Sequence, residues 1–363
     1  MSDRFRRLIS PHPLVLFCVV LITAFVIQVA TWNRGYPFDS HLWVDAAAHM
    51  SAGTLISPEH LVYGYPGTTL LIPTAWFISL SVDGEQALRL SIAVIFSLAT
   101  AASVLVAYLL FPRHPWWALL AWALLLQQKM YFATPPSSVL GPLLFLFILL
   151  IAYALHTKNK SLWMLALIGT VGALATATRI DIGGAVAGSG IVALALMMRS
   201  VRVFILTSLV SLLVFVATNP FMWSDAFGHL TATIEKIIEH ADRPNDGRAF
   251  FEMVSSSVFG SFTFFFLCFA LFLKVPLALS RGVLIWIMGI STLLIGALFL
   301  SSHHPAWIFY PLMLPLELLF PLFVAAILPR LCTRLNIPLL VASSFLLGTY
   351  LTFYALRYQL LTH

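Results

Sequence analysis

The chain has 363 residues, of which 60% are hydrophobic and only 9% charged, and its mean hydropathy is +0.95. A soluble domain carries about 25% charged residues, so the composition excludes a soluble enzyme and points to an all-α, polytopic helical membrane protein; the alternating segments of a β-barrel are absent. The net charge of +6 is scattered through short loops, which argues against a nucleic-acid partner, and Cys18, Cys268 and Cys332 suggest neither a disulfide framework nor a Cys-type metal site.

At the N-terminus, MSDRFRR precedes a long apolar run with no small-residue cleavage site after it, so the run reads as a retained span. Hydropathy predicts about eleven spans, at 14–32, 88–112, 115–133, 139–156, 161–178, 182–198, 203–218, 254–273, 283–300, 306–328 and 338–356, in a single domain, 1–363. Segment 67–82 contains Pro73 and is short of the roughly 20 residues needed to cross. If it dips in and returns, Arg4, Arg6, Arg7, Arg113, Lys158, Lys160, Arg199, Arg202, Lys274, Arg281, Arg330 and Arg334 share one side. These are 12 of the 20 basic residues, and by the positive-inside rule that side is cytoplasmic. A full crossing would move nine of the twelve outside. Segment 67–82 is therefore expected to be re-entrant or surface-lying, with the N-terminus cytoplasmic and the C-terminus outside. All the acids except Asp3 and Glu317 then fall on the outer face.

Two outer loops are long, 33–87 and 219–253, and each is expected to carry an interfacial helix. In the first, Asp39 and Ser40 precede a helix-like run that ends at Gly53. Leu42, Trp43, Ala46, Ala47 and Met50 fall on one face of it, and His41, Asp45 and His49 on another at i, i+4 and i+8. Asp39 reads either as the helix N-cap or as a general base at the membrane surface. The His41/Asp45/His49 stripe reads as a solvated face, with ligation of zinc or a similar ion as the weaker alternative. Tyr63-Gly64-Tyr65-Pro66-Gly67 turns the chain into segment 67–82, with its aromatic rings suited to the headgroup level. In the second loop Leu230, Ile234, Ile237 and Ile238 have the spacing of an amphipathic helix at the interface, and Pro244 to Gly247 form a turn. Glu317 lies about eleven residues into the span 306–328. An acid at that depth costs several kcal/mol unless it is paired or faces a cavity, which makes it a candidate intramembrane polar site.

The acid opening a short helix, the Ala-rich middle, Gly53 and the Tyr-Pro turn resemble the first outer loop of the GT-C membrane glycosyltransferases. The pattern is similar to the mannosyltransferase and aminoarabinosyltransferase branches. Further along, Glu85-Gln86-Ala87-Leu88-Arg89-Leu90, Ala175-Thr176-Ala177-Thr178-Arg179-Ile180-Asp181, Thr218-Asn219-Pro220-Phe221, and His303-His304 followed by Phe309-Tyr310-Pro311 and Pro315 resemble that family's motifs in order and spacing. The resemblance implies a transferase moving a sugar from a polyprenyl-phosphate donor to a glycan, lipid or protein acceptor, with its active site outside the cytoplasm of a bacterial inner or plasma membrane. The family's first-loop acid falls on Asp39, with Asp45 as runner-up. The leaving phosphate needs cations, and Arg179, His303 and His304, with Tyr65 nearby, are the candidates for binding the donor. Arg179 paired with Asp181 to hold a span end is the structural alternative. Around Ala133 to Ser138 this chain has serines where many members carry a second acid, so a single base with no cofactor is expected, a divalent metal lacking its second carboxylate. The chain ends without a soluble outer domain, so acceptor recognition is expected from loops or a partner subunit. A transporter or flippase coupled through Glu317 and a non-catalytic subunit are the competing readings; no internal repeat favours the former.

The topology has a direct test. Reporters fused after Arg113 or after Lys158 are expected to report a cytoplasmic position, and an external signal from either would mean that 67–82 crosses completely.

Overall fold

A computed structural model of the chain describes residues 12–30, 40–54, 67–110, 135–220, 222–241 and 281–300, together with residue 336. Among the described residues there are ten helices and no strand: α1 Pro13–Ala30, α2 Ser40–Ser51, α3 Thr68–Ser79, α4 Gly84–Leu110, α5 Pro135–Thr157, α6 Leu162–Thr178, α7 Ile182–Met198, α8 Val201–Thr218, α9 Met222–Ala241 and α10 Arg281–Leu300. The expected spans 115–133, 254–273, 306–328 and 338–356 lie outside the described residues. The other seven coincide with helices. Four of those, Pro13–Ala30, Gly84–Leu110, Ser138–Thr157 and Val201–Thr218, are long and apolar enough to cross a membrane. Helices α6 and α7 have 17 residues each, about 25 Å at 1.5 Å per residue, against a hydrocarbon core of about 30 Å.

Helix ends are set by local chemistry. Asp83 Oδ2 accepts the N–H groups of Glu85 and Gln86 at 3.1 and 3.3 Å, so α4 begins a turn before the hydropathic span does. Ser161 and Ser200 cap α6 and α8. Gly53, at φ +81°, closes α2: its N–H bonds to the Met50 carbonyl at 3.1 Å and that of Thr54 to the His49 carbonyl at 2.9 Å, a Schellman ending.

The helices sort into a bundle with two distinct ends. Helix α5 is its centre, buried on all sides from Val139 to Ala152, against α4, α6 and α7. Leu88 and Ile92 of α4 cluster with Val139 of α5, so both helices start at the same end. Leu16 and Val20 of α1 cluster with Ala101 and Val104 of α4, so α1 starts where α4 finishes. Short turns then reverse the chain from α5 to α6, α7 and α8, and Gly282 of α10 lies against Met197 at the end of α7. One end of the bundle thus carries Lys158, Lys160, Arg199 and Arg202, and the other Asp83, Glu85 and Asp181. Helix α3 stays at the acidic end. Thr68 bonds to Asn219 at the end of α8, and after α3 the chain passes directly into the start of α4. Its 12 residues span about 18 Å, short of the hydrocarbon core of about 30 Å.

Small residues allow the closest helix contacts. A Cβ on Gly183 would collide with the Ala175 carbonyl oxygen across the α6–α7 turn. One on Gly190 would meet the rings of Phe147 and Trp286 at 2.6 and 2.7 Å. Those two rings stand edge to face at 6.3 Å, and the Trp286 indole donates to Ser189 Oγ at 3.0 Å. Gly188, on the same helix, faces open space. Gly183→Ala should therefore destabilise the detergent-solubilised protein by about 1–3 kcal/mol, the usual range for overpacking, whereas Gly188→Ala should be neutral or stabilise by up to ~1 kcal/mol. Paired thermal melts of the two variants check this.

Candidate functional site at the acidic end

Helix α2 packs onto the bundle. It turns Trp43, Ala46 and Ala47 inward against Leu70, Leu71 and Ala75 of α3 and Leu88 of α4. The interfacial helix expected in 33–87 thus has its apolar face covered by neighbouring helices. The Trp43 indole lies directly over Gly67, where a Cβ would overlap it, and Gly67 at φ +55° opens α3 without a side-chain cap. On the opposite face His41, Asp45 and His49 are exposed. The three side chains share one exposed face of α2, as the helical spacing predicted. Among the described residues no three His, Cys, Asp or Glu side chains gather to hold a metal ion.

Beneath α2 the start of α3 is fastened to two other helices by buried polar bonds. Thr68 donates to Asn219 Oδ1 at 2.8 Å, and Thr69 to the Leu174 carbonyl at 2.9 Å. The Asn219 side chain donates in turn to the Phe215 carbonyl at 2.6 Å, so its amide is bonded through both of its polar atoms. Thr178 also donates to the Leu174 carbonyl, at 2.7 Å. Such groups are tolerated in an apolar interior because each is paired. The three helix ends that meet here, the start of α3 and the ends of α6 and α8, are far apart in sequence.

Next to Thr178 stands Arg179, the largest fully buried side chain of the described residues, at 1% exposure. Its Nη2 and Nε donate to the two carboxylate oxygens of Asp181 at 2.6 and 3.2 Å. The fork fixes the guanidinium plane. Asp181 keeps 24% of its side chain exposed, so the pair has one partner sealed and one at the surface. Asp181 occupies the N-cap position of α7 without capping it; its carboxylate serves the arginine instead.

The predicted residues divide accordingly. Arg179 is buried at the acidic end and bonded to Asp181, as the structural alternative anticipated. Asp45, His41 and His49 lie on the exposed side of α2 and point away from the Thr68–Asn219 contact. Asp39, Tyr65, His303, His304 and Glu317 lie outside the described residues; α2 begins at Ser40, immediately after Asp39. Thr68, Thr69 and the bonding of Asn219 escaped sequence reading, where their only signal was a polar side chain at each margin of an apolar segment. Comparison of the chain with family models, with curated proteins and with solved structures gives no match.

Removing one member of the ion pair should be costly. Asp181→Ala is expected to lower stability by about 2 kcal/mol, less than the roughly 3–5 kcal/mol of a fully buried pair because Asp181 is partly solvated. An Arg179→Leu/Asp181→Ala double variant should recover part of that loss, which thermal melts of both singles and the double will measure.

Proposed function

We propose that the protein is a membrane glycosyltransferase that moves a sugar from a polyprenyl-phosphate donor to a glycan, lipid or protein acceptor. In this reading the chain crosses the bilayer eleven times, with the basic end of the bundle cytoplasmic and the acidic end outside. The observation that carries it is the meeting of α3, α6 and α8 through the Thr68–Asn219 and Thr69–Leu174 bonds at the acid-rich end, where Arg179 is buried against Asp181. The separation of Lys158, Lys160, Arg199 and Arg202 from Asp83, Glu85 and Asp181 supports the orientation.

In the proposed reaction Asp39 takes the proton of the acceptor hydroxyl as its oxygen attacks the anomeric carbon. The bond from that carbon to the phosphate oxygen breaks, and polyprenyl phosphate leaves with the electron pair. Displacement from the opposite side inverts the anomeric centre. The phosphate must meet a cation at that moment. Arg179 supplies it by exchanging the Asp181 carboxylate for the phosphate, and Asp181 has a path to water through its exposed edge. His303, His304 and Tyr65 complete the donor site, and no metal takes part. Asp45 is the alternative base.

The decisive experiment compares surface glycans and accumulated lipid-linked sugars in cells with the intact gene, without it, and with single substitutions. Asp39→Asn should reduce transfer by about 10²–10⁴-fold, the usual contribution of a general base, while Asp45→Asn leaves it near normal. The opposite pattern would move the base to Asp45, and unchanged transfer in both would end the enzymatic reading.

A further inference from the structure

Helix α9 exposes an apolar edge that the proposed reaction does not use. Phe227, Ile234 and Ile238 are 85%, 46% and 53% exposed and stand at i, i+7 and i+11, a single stripe of a helix. Thr233 to one side of the stripe is buried, and Glu235 to the other side is exposed. The stripe therefore runs between the side turned to the protein and the polar side. A second apolar surface precedes it in the chain. Helix α8 exposes Phe204, Ile205, Leu209, Leu212 and Leu213 along its length. Trp223, itself exposed, donates its indole N–H to the Val216 carbonyl at 2.8 Å, which pins the start of α9 to the last turn of α8. The bend at Asp225 is built in. Its backbone leaves the helix at φ −153°, and its carboxylate accepts the Gly228 N–H at 2.9 Å.

We infer that α9 is seated on the bilayer surface at the acidic end of the bundle, with Phe227, Ile234 and Ile238 among the acyl chains, and that apolar burial rather than headgroup charge holds it there. The composition of the helix carries the second half. Met222–Ala241 holds the three carboxylates of Asp225, Glu235 and Glu239 against the one ammonium of Lys236. Helices drawn to anionic lipid carry a polar face rich in Lys and Arg. The occupant of the edge is thus a lipid surface whose headgroup charge is immaterial. The inference rests on the membrane placement of α8 proposed above and is independent of any transferase activity.

The test uses the full-length protein with the photoreactive residue p-benzoylphenylalanine at position 227, 234 or 235, and at position 212 on α8 as a reference. Each variant is placed in nanodiscs of phosphatidylcholine alone and of phosphatidylcholine with phosphatidylglycerol. After illumination, mass spectrometry should find lipid adducts at 212, 227 and 234 in similar yield in both lipid mixtures, and markedly fewer at 235. Adducts at 227 and 234 only when phosphatidylglycerol is present would overturn the neutral seat. Crosslinks to protein alone at those positions would show that another segment covers the edge, which also overturns the inference. Lipid adducts absent even at 212 would remove the membrane placement of α8 and the seat of α9 with it, whereas adducts at 212 alone would remove only the seat.

Discussion

A guanidinium taken out of water needs a counter-charge within reach, and the acidic end of the bundle is arranged around that requirement at Arg179. Helix α6 stops at Thr178, and Asp181, which opens α7, is the residue that returns the charge. The turn between them leaves no room for a side chain at Gly183. Because the reversal is so tight, α6 and α7 lie side by side against α5 and carry the arginine at their common end. The start of α3 can then reach the last turn of α6 through Thr69 and the end of α8 through Thr68.

The same end of the molecule supports both α2 and α9. The first is held by the Trp43 indole over Gly67 and by its packing on α3 and α4. The second follows Asn219, which is itself fixed by Thr68, and is tied through the Trp223 bond to the end of α8. Two helices far apart in the chain thus share one anchoring point, the 151-residue link between Thr68 and Asn219. A binding surface assembled from both would inherit its rigidity from that buried hydroxyl–amide contact.

Much of the helical framework was legible in the residues. The bounds expected for α7 match Ile182–Met198, and those for α6 differ by one residue, because both apolar runs are bracketed by polar or charged turns. The face of α2 bearing His41, Asp45 and His49 followed from helical periodicity alone. The start of α4 did not follow from hydropathy, since Asp83 extends the helix by capping a polar first turn. The covering of the apolar face of α2 was also invisible, because periodicity says that a face is apolar without saying whether lipid or protein meets it.

The helical character of the chain, the shortness of segment 67–82 and the separation of basic from acidic turns are written in the residues themselves. Each follows from local composition: apolar runs must satisfy their own backbone bonds, and charges stay where runs end. The burial of Arg179, the meeting of Thr68 with Asn219 and the placing of Gly67 under Trp43 came from the packing of the helices. Those outcomes depend on which helix ends come together, and no local pattern encodes a contact between a threonine and an asparagine 151 positions apart.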